Sequence, residues 1–461
     1  MTRRFAALLL LVLAVAGCPA FGDETCAGDA CLAVDSSGCG ADPTAPRCLN
    51  EGTAFFVSAT GNDQGDGTRA RPFATLGAAI GRLDPAHRRI YVCEGTYRED
   101  VKLTTVHAGV GIFGGVDCAW AAAPGKKPVL GATARPFALE EVKDIVLADL
   151  TIAAAAATSG SSVAILAVNS SALLRSVALT AGTGADGAKG ILEPFAFPAL
   201  AVGKTATSVS GGGATTTPGA CPGGGAVSTG GAGGPTNAPG SPGQPRRAAG
   251  GAGGVSSDCA SDGRGSDGLF GLIPAAPPPT TALGVSSFSG WIPQRGTAGS
   301  TGDVGGGGGG GFGGATVVGG GGGGPGGCGG AGGGGGEGGG GSIALASFGS
   351  TITVVTSQMR TSTAGNGGDG VGGQEGQGGK GGGDRYVDGC AGGAGGPGGY
   401  GGAGRGGAGG VSAGVLYTGI KPLIDAPTLG SIQVGARGTG GLDPSLTRAL
   451  DGVTSPVLET K

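Results

Sequence analysis

The most reactive side chains in this sequence belong to its eleven cysteines. One of them, Cys18, ends an apolar run near the start of the chain, which leaves ten others, an even number. An even number of thiols favours disulfide bonds if the chain is exported to an oxidising compartment. The candidates for such bonds are Cys26, Cys31, Cys39, Cys48, Cys93, Cys118, Cys221, Cys259, Cys328 and Cys390.

The first four of these ten cysteines lie in the segment ETCAGDACLAVDSSGCGADPTAPRC. It has too few large apolar residues to fold by burial alone, so we expect cross-links to shape it. Zinc is the alternative, but the segment has no CxxC pair and no nearby histidine. The other six thiols form loosely spaced pairs, although the sequence leaves their connectivity open: Cys93 with Cys118, Cys221 with Cys259, and Cys328 with Cys390.

Residues for acid–base catalysis are scarce. The chain has two histidines, His87 and His107, and neither stands at the spacing of a metal site or a triad. Polysaccharide lyases and hydrolases need clustered carboxylates beside Arg or Lys, whereas charged residues are sparse in 143–180 and 342–370. We therefore predict no catalytic site and no cofactor, with a polysaccharide-active enzyme or carbohydrate-binding module as the alternative.

Calcium is the metal for which the sequence offers weak candidates. Asp63 and Asp66 lie in the turn GNDQGDG, and Asp186, Asp303 and Asp369 also stand beside glycines. Carboxylates in such turns can bind Ca²⁺, but the nine-residue phasing of calcium-binding β-rolls is absent. We favour the simpler interpretation, in which these aspartates form turns by accepting hydrogen bonds from the nearby backbone.

Composition and charge exclude some classes of partner. The chain has 113 glycines among 461 residues, and its 29 Lys and Arg nearly balance its 32 Asp and Glu. A formal net charge of -3 gives neither the basic footprint of a nucleic-acid-binding protein nor a basic face for a membrane. We expect no nucleic-acid partner.

The start of the chain has the features of an export signal. Arg3 and Arg4 precede an apolar run that is too short to span a bilayer as a mature helix. The run ends in VAGC (15–18), which resembles the lipobox of bacterial lipoproteins, and the resemblance implies acylation of Cys18. We expect a signal peptide over 1–17 and a lipid anchor to the outer membrane or cell surface. The alternative is an ordinary signal peptide with an incidental cysteine.

Short strands and turns begin near Thr53. The order FVSATGNDQGDGT, RPFATLGAAI and IYVCEGTYREDVKL is similar to the amino-terminal part of pectate-lyase-like right-handed parallel β-helix proteins. That resemblance implies an all-β solenoid whose first coil is capped by a helix. Coils of some 20 to 30 residues stack about 4.8 Å apart. Cys93 and Cys118 would then lie above one another, within disulfide reach.

A strand–turn–strand unit with a glycine-rich exit occurs three times. SVAILAVNSSALLRSVALTAGTGADG (162–187) aligns with SIALASFGSTITVVTSQMRTSTAGNGGDG (342–370) after a short indel, and a weaker copy spans 412–441. Because such a unit cannot bury its apolar side alone, we expect the copies to stack. The predicted segments after the signal peptide are a Cys-rich stalk (18–52), a cap and first coils (53–182), a Gly-rich insertion (183–341), a coil (342–363), a second insertion (364–411) and a final coil with tail (412–461).

The glycine-rich insertions leave two interpretations open. Tracts such as AGGAGGPGGYGGAGRGGAGG (391–410) have too much glycine and too little proline for a collagen triple helix. Disorder is one possibility, since glycine loses the most entropy on folding. The other is a bundle of polyproline-like helices with three residues per turn, which would align the remaining residues on one face: Ala391, Ala394, Pro397, Tyr400 and Ala403.

Most of the chain resembles the glycine-rich lipoproteins common in myxobacteria, some of which are labelled PGRS proteins. The resemblance depends on the lipobox, the β-helix opening and the repeated unit, and it implies location and shape more than activity. We therefore expect a lipid-anchored envelope protein with a structural, adhesive or glycan-contacting role. Its expected partners are the membrane and either polysaccharide or a second copy of the chain.

Overall fold

The structure is a computed structural model that describes Cys39 and residues 42–224, 226–245, 250–287, 290–316 and 319–460. The predicted signal peptide (1–17), the lipid site Cys18 and the candidates Cys26 and Cys31 lie outside these residues. The described chain has many strands and few helices, so the predicted all-β class is confirmed.

The elements, in chain order, are short. They are β1 (Ala54–Val57), α1 (Leu76–Gly81), β2 (Arg89–Cys93), β3 (Thr96–Tyr97), β4 (Val101–Leu103), a 3-10 turn (Thr105–His107), β5 (Gly111–Val116), β6 (Val129–Leu130), β7 (Phe137–Glu140), β8 (Ile145–Ala148), β9 (Thr151–Ala153), β10 (Ser162–Val168), β11 (Ser171–Arg175), β12 (Ala178–Thr180), a second 3-10 turn (Pro222–Gly224), β13 (Gly284–Ser287), β14 (Gly290–Pro293), β15 (Ser342–Phe348), β16 (Thr351–Val355), β17 (Gln358–Arg360), β18 (Ser412–Thr418), β19 (Leu423–Ile424), α2 (Ala426–Ser431) and β20 (Thr454–Glu459).

Three parallel sheets organise these strands. The first sheet has the order β1-β2-β5-β8-β11-β16-β19, the second β17-β12-β9-β6-β3, and the third β20-β18-β15-β10-β7-β4. Between β2 and β12, successive strands belong to the first, second and third sheets in a repeating order. Both long glycine-rich excursions leave after a strand of the second sheet, β12 or β17, and return at a strand of the third, β15 or β18.

Strands far apart in sequence pair in register. Ser162 is the partner of Ser342 in the pairing of β10 with β15, and Ser342 is the partner of Ser412 in the pairing of β15 with β18. The units that begin at 162 and 342 pair through three strands each: β10 with β15, β11 with β16 and β12 with β17. All three pairings have the same offset in residue number. The predicted stacking of these segments is therefore confirmed as parallel pairing.

Buried hydroxyl groups reinforce this register at the turns. The Ser170 hydroxyl accepts a hydrogen bond from the Val142 amide (3.1 Å), and the Ser350 hydroxyl accepts one from the Ser170 amide (2.9 Å). At another turn, the Ser357 hydroxyl accepts from the Val177 amide (3.0 Å). Each serine thus satisfies a buried amide of the preceding pass of the chain, which would otherwise cost the desolvation energy of an unpaired polar group.

One apolar core lies between the three sheets. Ile90 and Leu147 from the first sheet, Ile152 from the second, and Leu139 and Leu345 from the third belong to the same buried cluster. All five are completely inaccessible to solvent. Short runs of Val, Leu and Ile can therefore form stable strands here, because the neighbouring sheets cover the apolar side of each.

The helix α1 closes the amino-terminal end of this core, as the sequence predicts. Leu76 and Ala79 are its buried residues, and Thr75 is its N-cap. The carboxylate of Glu99 accepts hydrogen bonds from the amides of Leu76 (2.7 Å) and Gly77 (2.9 Å). These amides begin the helix and have no partner within it, so the carboxylate supplies one and also interacts favourably with the helix dipole.

The glycine-rich tracts form a hydrogen-bonded array. The amides of Gly299, Gly302 and Gly305 donate to the carbonyls of Gly333, Gly330 and Gly327 at 2.8 to 2.9 Å. Each step advances three residues on one tract and retreats three on the other, which is the period of a polyproline-type helix. Of the two interpretations left open by the sequence, the structure has the ordered one. We call these tracts, within 183–341 and 364–411, the glycine array.

Residues 320–341 occupy the interior of the glycine array. Backbone hydrogen bonds join them to several other tracts, which include 185–191, 204–212, 231–234, 295–311, 365–383 and 391–411. Most residues of 319–341 are buried, whereas Ala391, Ala394, Pro397, Tyr400 and Ala403 all keep some exposure at the outer face, as the three-residue phasing predicts.

A hairpin interrupts the array and covers the third sheet. Strands β13 and β14 pair antiparallel. Trp291 of β14 is buried in a cluster with Val163, Leu166, Ile343 and Leu416, which lie on the outer side of β10, β15 and β18. Strands β10 and β15 are therefore buried on both faces, which accounts for their fully buried runs.

Four disulfides are present in the described chain. Cys93 and Cys118 are bonded with their Cα atoms 5.0 Å apart, as the stacking argument predicts. The loose pairing of the other four distal cysteines is wrong. These four form Cys221–Cys328 and Cys259–Cys390, because their partners depend on which tracts are neighbours in the array and not on nearness in sequence. The fourth bond is Cys39–Cys48.

Candidate binding groove

An open polar groove lies where the second sheet gives way to the glycine array. Its volume is about 510 Å³. Three successive passes of the chain form it, and its lining residues are Ala157, Thr158, Thr183, Gly184, Ala185, Asp186, Thr363, Ala364 and Asn366. We call it the Thr/Asx groove.

Parallel hydrogen bonding aligns two passes of the groove wall. The Gly184 amide donates to the Thr363 carbonyl (3.0 Å), and the Gly187 amide donates to the Asn366 carbonyl (2.7 Å). Each pass has a threonine followed three residues later by Asp or Asn, so the second pass repeats the polar pattern of the first. A three-residue step in a polyproline-type helix is about 9 Å, and neighbouring parallel chains lie about 4.8 Å apart.

The Asp and Asn side chains also accept hydrogen bonds from backbone amides of the neighbouring pass. Asp186 Oδ1 accepts from the Asn366 amide (2.6 Å), and Asn366 Oδ1 accepts from the Thr439 amide (2.9 Å). Asp369 Oδ1 does the same for the Leu442 amide (2.7 Å). Each acceptor serves the next pass of the chain, which explains why Asp or Asn recurs at this position.

Side-chain amides repair the array where a non-glycine segment interrupts it. Gln374 Oε1 accepts from the amides of Phe195 (2.7 Å) and Ala331 (3.2 Å). Gln377 Oε1 accepts from the Cys328 amide (3.3 Å). The carbonyls of Phe195 and Pro198 in turn accept from the side-chain amides of Gln374 and Gln377, so these glutamines bridge this segment to the array.

The candidate calcium ligands act as turn and cap formers. Asp63 Oδ1 accepts from the amides of Ala74 (2.8 Å) and Thr75 (2.9 Å), ahead of α1. Asp66 pairs with Arg71, and hydrogen bonds from Arg71 and Thr68 hold the pKa of that carboxyl well below its usual range. Within the described ranges, no group of three or more His, Cys, Asp or Glu could hold a metal ion.

The two histidines lie apart from the groove and have local partners. The His87 ring stacks on Phe55 with centroids 4.7 Å apart, and its Nδ1 lies 2.9 Å from Asp84 Oδ2. The Thr104 amide donates to His107 Nδ1 (2.9 Å), and burial lowers the pKa of His107. Both rings therefore have structural contacts in the loops that contain them.

The sequence singles out Asp186, as a weak calcium candidate, but not the other groove residues Thr183, Thr363 and Asn366. The alignment of TAGTGADG with TAGNGGDG requires an indel and displaces the second pass by three residues, one turn of the extended helix. The structure needs no indel, because β12 and β17 pair at the same offset as β10 and β15. The strands alone, extended without a gap, would have predicted the correct register.

In the part of the chain that the structure describes, no helix is long and apolar enough to cross a membrane. Comparison with protein-family models, with curated proteins and with solved structures finds no match to this chain.

Proposed function

We propose that this protein is a lipid-anchored component of a bacterial cell envelope with a structural, adhesive or glycan-contacting role. The anchor would be the acylated Cys18 that follows the apolar run, at the outer membrane or cell surface. The single observation that supports a structural role best is the glycine array, where a quarter-glycine chain forms a backbone-bonded body instead of loose linkers.

We further propose that the three parallel sheets are the faces of a right-handed parallel β-helix. Two observations support this. The chain visits the sheets in a constant order, and one core contains side chains from all three. The right-handed sense is the expectation for parallel strands joined by crossover connections.

A non-catalytic role fits the groove better than polysaccharide cleavage. Asp186 is the one ionisable side chain in its lining. Retaining and inverting glycosidases both need two carboxyl groups across the scissile bond, and lyases need a cation or metal beside the acidic sugar. Neither arrangement is found among the lining residues of the Thr/Asx groove.

The anchor is tested by expressing the full chain in a bacterial host with an alkyne fatty acid. We expect label on the wild type in washed membranes and none on Cys18→Ala, which should become extractable. Label that persists in the variant would contradict the lipid anchor. A lyase and hydrolase assay on acidic and neutral polysaccharides separates the enzyme alternative, since turnover would remove the non-catalytic proposal.

A further inference from the structure

We propose that the Thr/Asx groove binds a neutral, hydroxyl-rich polysaccharide. The inference deepens the proposed envelope role, on which it rests, by naming the site and the class of glycan. The groove volume of about 510 Å³ lies in the range of about 300–1,000 Å³ typical of ligand sites. Because the groove is open to solvent and not enclosed, it can admit part of a long polymer.

The groove presents hydroxyl groups that the protein does not use. Thr183 and Thr363 are exposed, and neither hydroxyl has a hydrogen-bond partner among the described residues. Neighbouring passes repeat the threonine at the spacing of parallel chains, about 4.8 Å. A hydroxyl can both donate and accept, so these two threonines can either donate hydrogen bonds to sugar hydroxyls or accept them.

Charge selects a neutral polymer over an acidic one. Asp186 is the one charged side chain in the lining, and no cation of the lining faces it. An acidic polysaccharide would bring like charge against this carboxylate, which is unfavourable at close range. The lining also lacks large apolar side chains, so an apolar ligand would gain little by burial.

The test uses purified full-length protein with a soluble mannan, a soluble β-glucan and polygalacturonate, measured by titration calorimetry. We expect the wild type to bind a neutral polymer and to prefer it over polygalacturonate. The double variant Thr183→Val and Thr363→Val removes two hydroxyls while keeping the β-branched shape. It should bind at least about tenfold more weakly, since two hydrogen bonds are lost.

Two further variants make the result specific. Thr297→Val removes an exposed hydroxyl elsewhere in the glycine array and should bind like the wild type. Asp186→Asn keeps the acceptor for the Asn366 amide, as Asn366 does for Thr439, but removes the carboxylate, so it should narrow the preference for a neutral polymer over polygalacturonate. Thermal unfolding of each variant confirms that it is folded.

The proposal is overturned if the double variant binds as tightly as the wild type, or if polygalacturonate is preferred. It is also overturned if neither neutral polysaccharide binds; a change of self-association in the double variant, measured by sedimentation, would then make a second copy the partner. None of these results alters the labelling test of Cys18, so failure of the groove and failure of the anchor are distinguishable.

Discussion

Arg405 connects the glycine array to the carboxy-terminal segment through a nearly buried ion pair. Its guanidinium pairs with Asp443, and the two side chains are 16% and 3% exposed. Arg405 Nε also donates to the Pro277 carbonyl (2.7 Å), so this side chain joins its own tract to two other parts of the chain. Removing one partner of such a pair leaves the other buried and uncompensated.

We expect Arg405→Met to lower the free energy of unfolding by about 3–5 kcal/mol, because it strands the buried Asp443. Urea unfolding measures this value. Arg437→Met is the matched control, since Arg437 lies 3.7 Å from Asp451 with its side chain 57% exposed, and exposed pairs contribute about 1 kcal/mol or less. Equal losses in the two variants would contradict the account.

Acid should destabilise the fold through Asp425 and Asp443. Burial alone would raise the pKa of each carboxyl, but hydrogen bonds outweigh it, from Thr428 and Thr356 to Asp425 and from Ser445, Thr447 and Arg405 to Asp443. The folded pKa of each therefore lies below the unfolded value of about 3.9.

A lowered carboxyl pKa adds stability that is present above the unfolded pKa and lost as pH falls through the folded one. We therefore expect the free energy of unfolding to be level from pH 7 to about 5 and to decline below about pH 4. Asp443→Asn should flatten this decline, although it also lowers stability at pH 7. A decline of unchanged slope in that variant would contradict the assignment.

At the scale of elements, the array requires glycine where two tracts contact each other and not at positions that face open space. A Cβ on Gly330 would overlap the carbonyl oxygen of Gln374, whereas a Cβ on Gly372 would meet open space. Both glycines lie in glycine-rich tracts of the array, so the pair separates the steric requirement from a general effect of composition.

We expect Gly330→Ala to cost about 1–3 kcal/mol or more, because the tracts must separate to admit the methyl group. Gly372→Ala should be neutral or stabilise by up to about 1 kcal/mol, since it restricts the unfolded chain. Chemical denaturation of both variants checks the difference. Similar values for the two would contradict close packing of the array.

The disulfide Cys221–Cys328 should stabilise more than Cys39–Cys48. They close loops with sequence separations of 107 and 9. Loop entropy gives about 4.7 kcal/mol for a loop near 100 residues and less than about 3 for one shorter than 15. Thermal unfolding of the two double Cys→Ser variants measures the ranking, and a larger loss for the shorter loop would contradict it.

The sequence predicted elements where the signal was local. The segments FVSATGNDQGDGT, RPFATLGAAI and IYVCEGTYREDVKL predicted the region of β1, α1 and β2, and the spacing of Cys93 and Cys118 predicted their bond. The partners of Cys221 and Cys259 could not be read in this way, because they depend on which extended tracts become neighbours. Glycine triplets look alike, so composition alone does not choose among those arrangements.

At the scale of the whole molecule, the sheets and the glycine array share one register. The offset that pairs Ser162 with Ser342 continues past the second sheet, where Gly184 bonds to Thr363 and Gly187 to Asn366. The strands therefore fix the starting register of the tracts that leave them. This continuity places the Thr/Asx groove at the junction of the second sheet and the glycine array. The position of the groove follows from both parts together and not from the strands or the glycines separately.

The ordered array also depends on interior polar groups being satisfied. The tract 320–341 has few side chains to bury, so its stability must come from backbone hydrogen bonds and close contact between tracts. Each glycine loses more entropy on ordering than any other residue, which is why the sequence leaves disorder open. The disulfides from Cys328 and Cys390 reduce that entropy by restricting the unfolded chain.

Hydrogen exchange of the backbone amides in 320–341, followed by mass spectrometry of the intact disulfide-bonded protein, tests the packed array most directly. The hydrogen bonds from these amides to tracts 185–191 and 391–411 predict protection comparable to that of β10 and β15. Exchange of this tract at the rate of an unfolded chain, while the strands stay protected, would contradict the account.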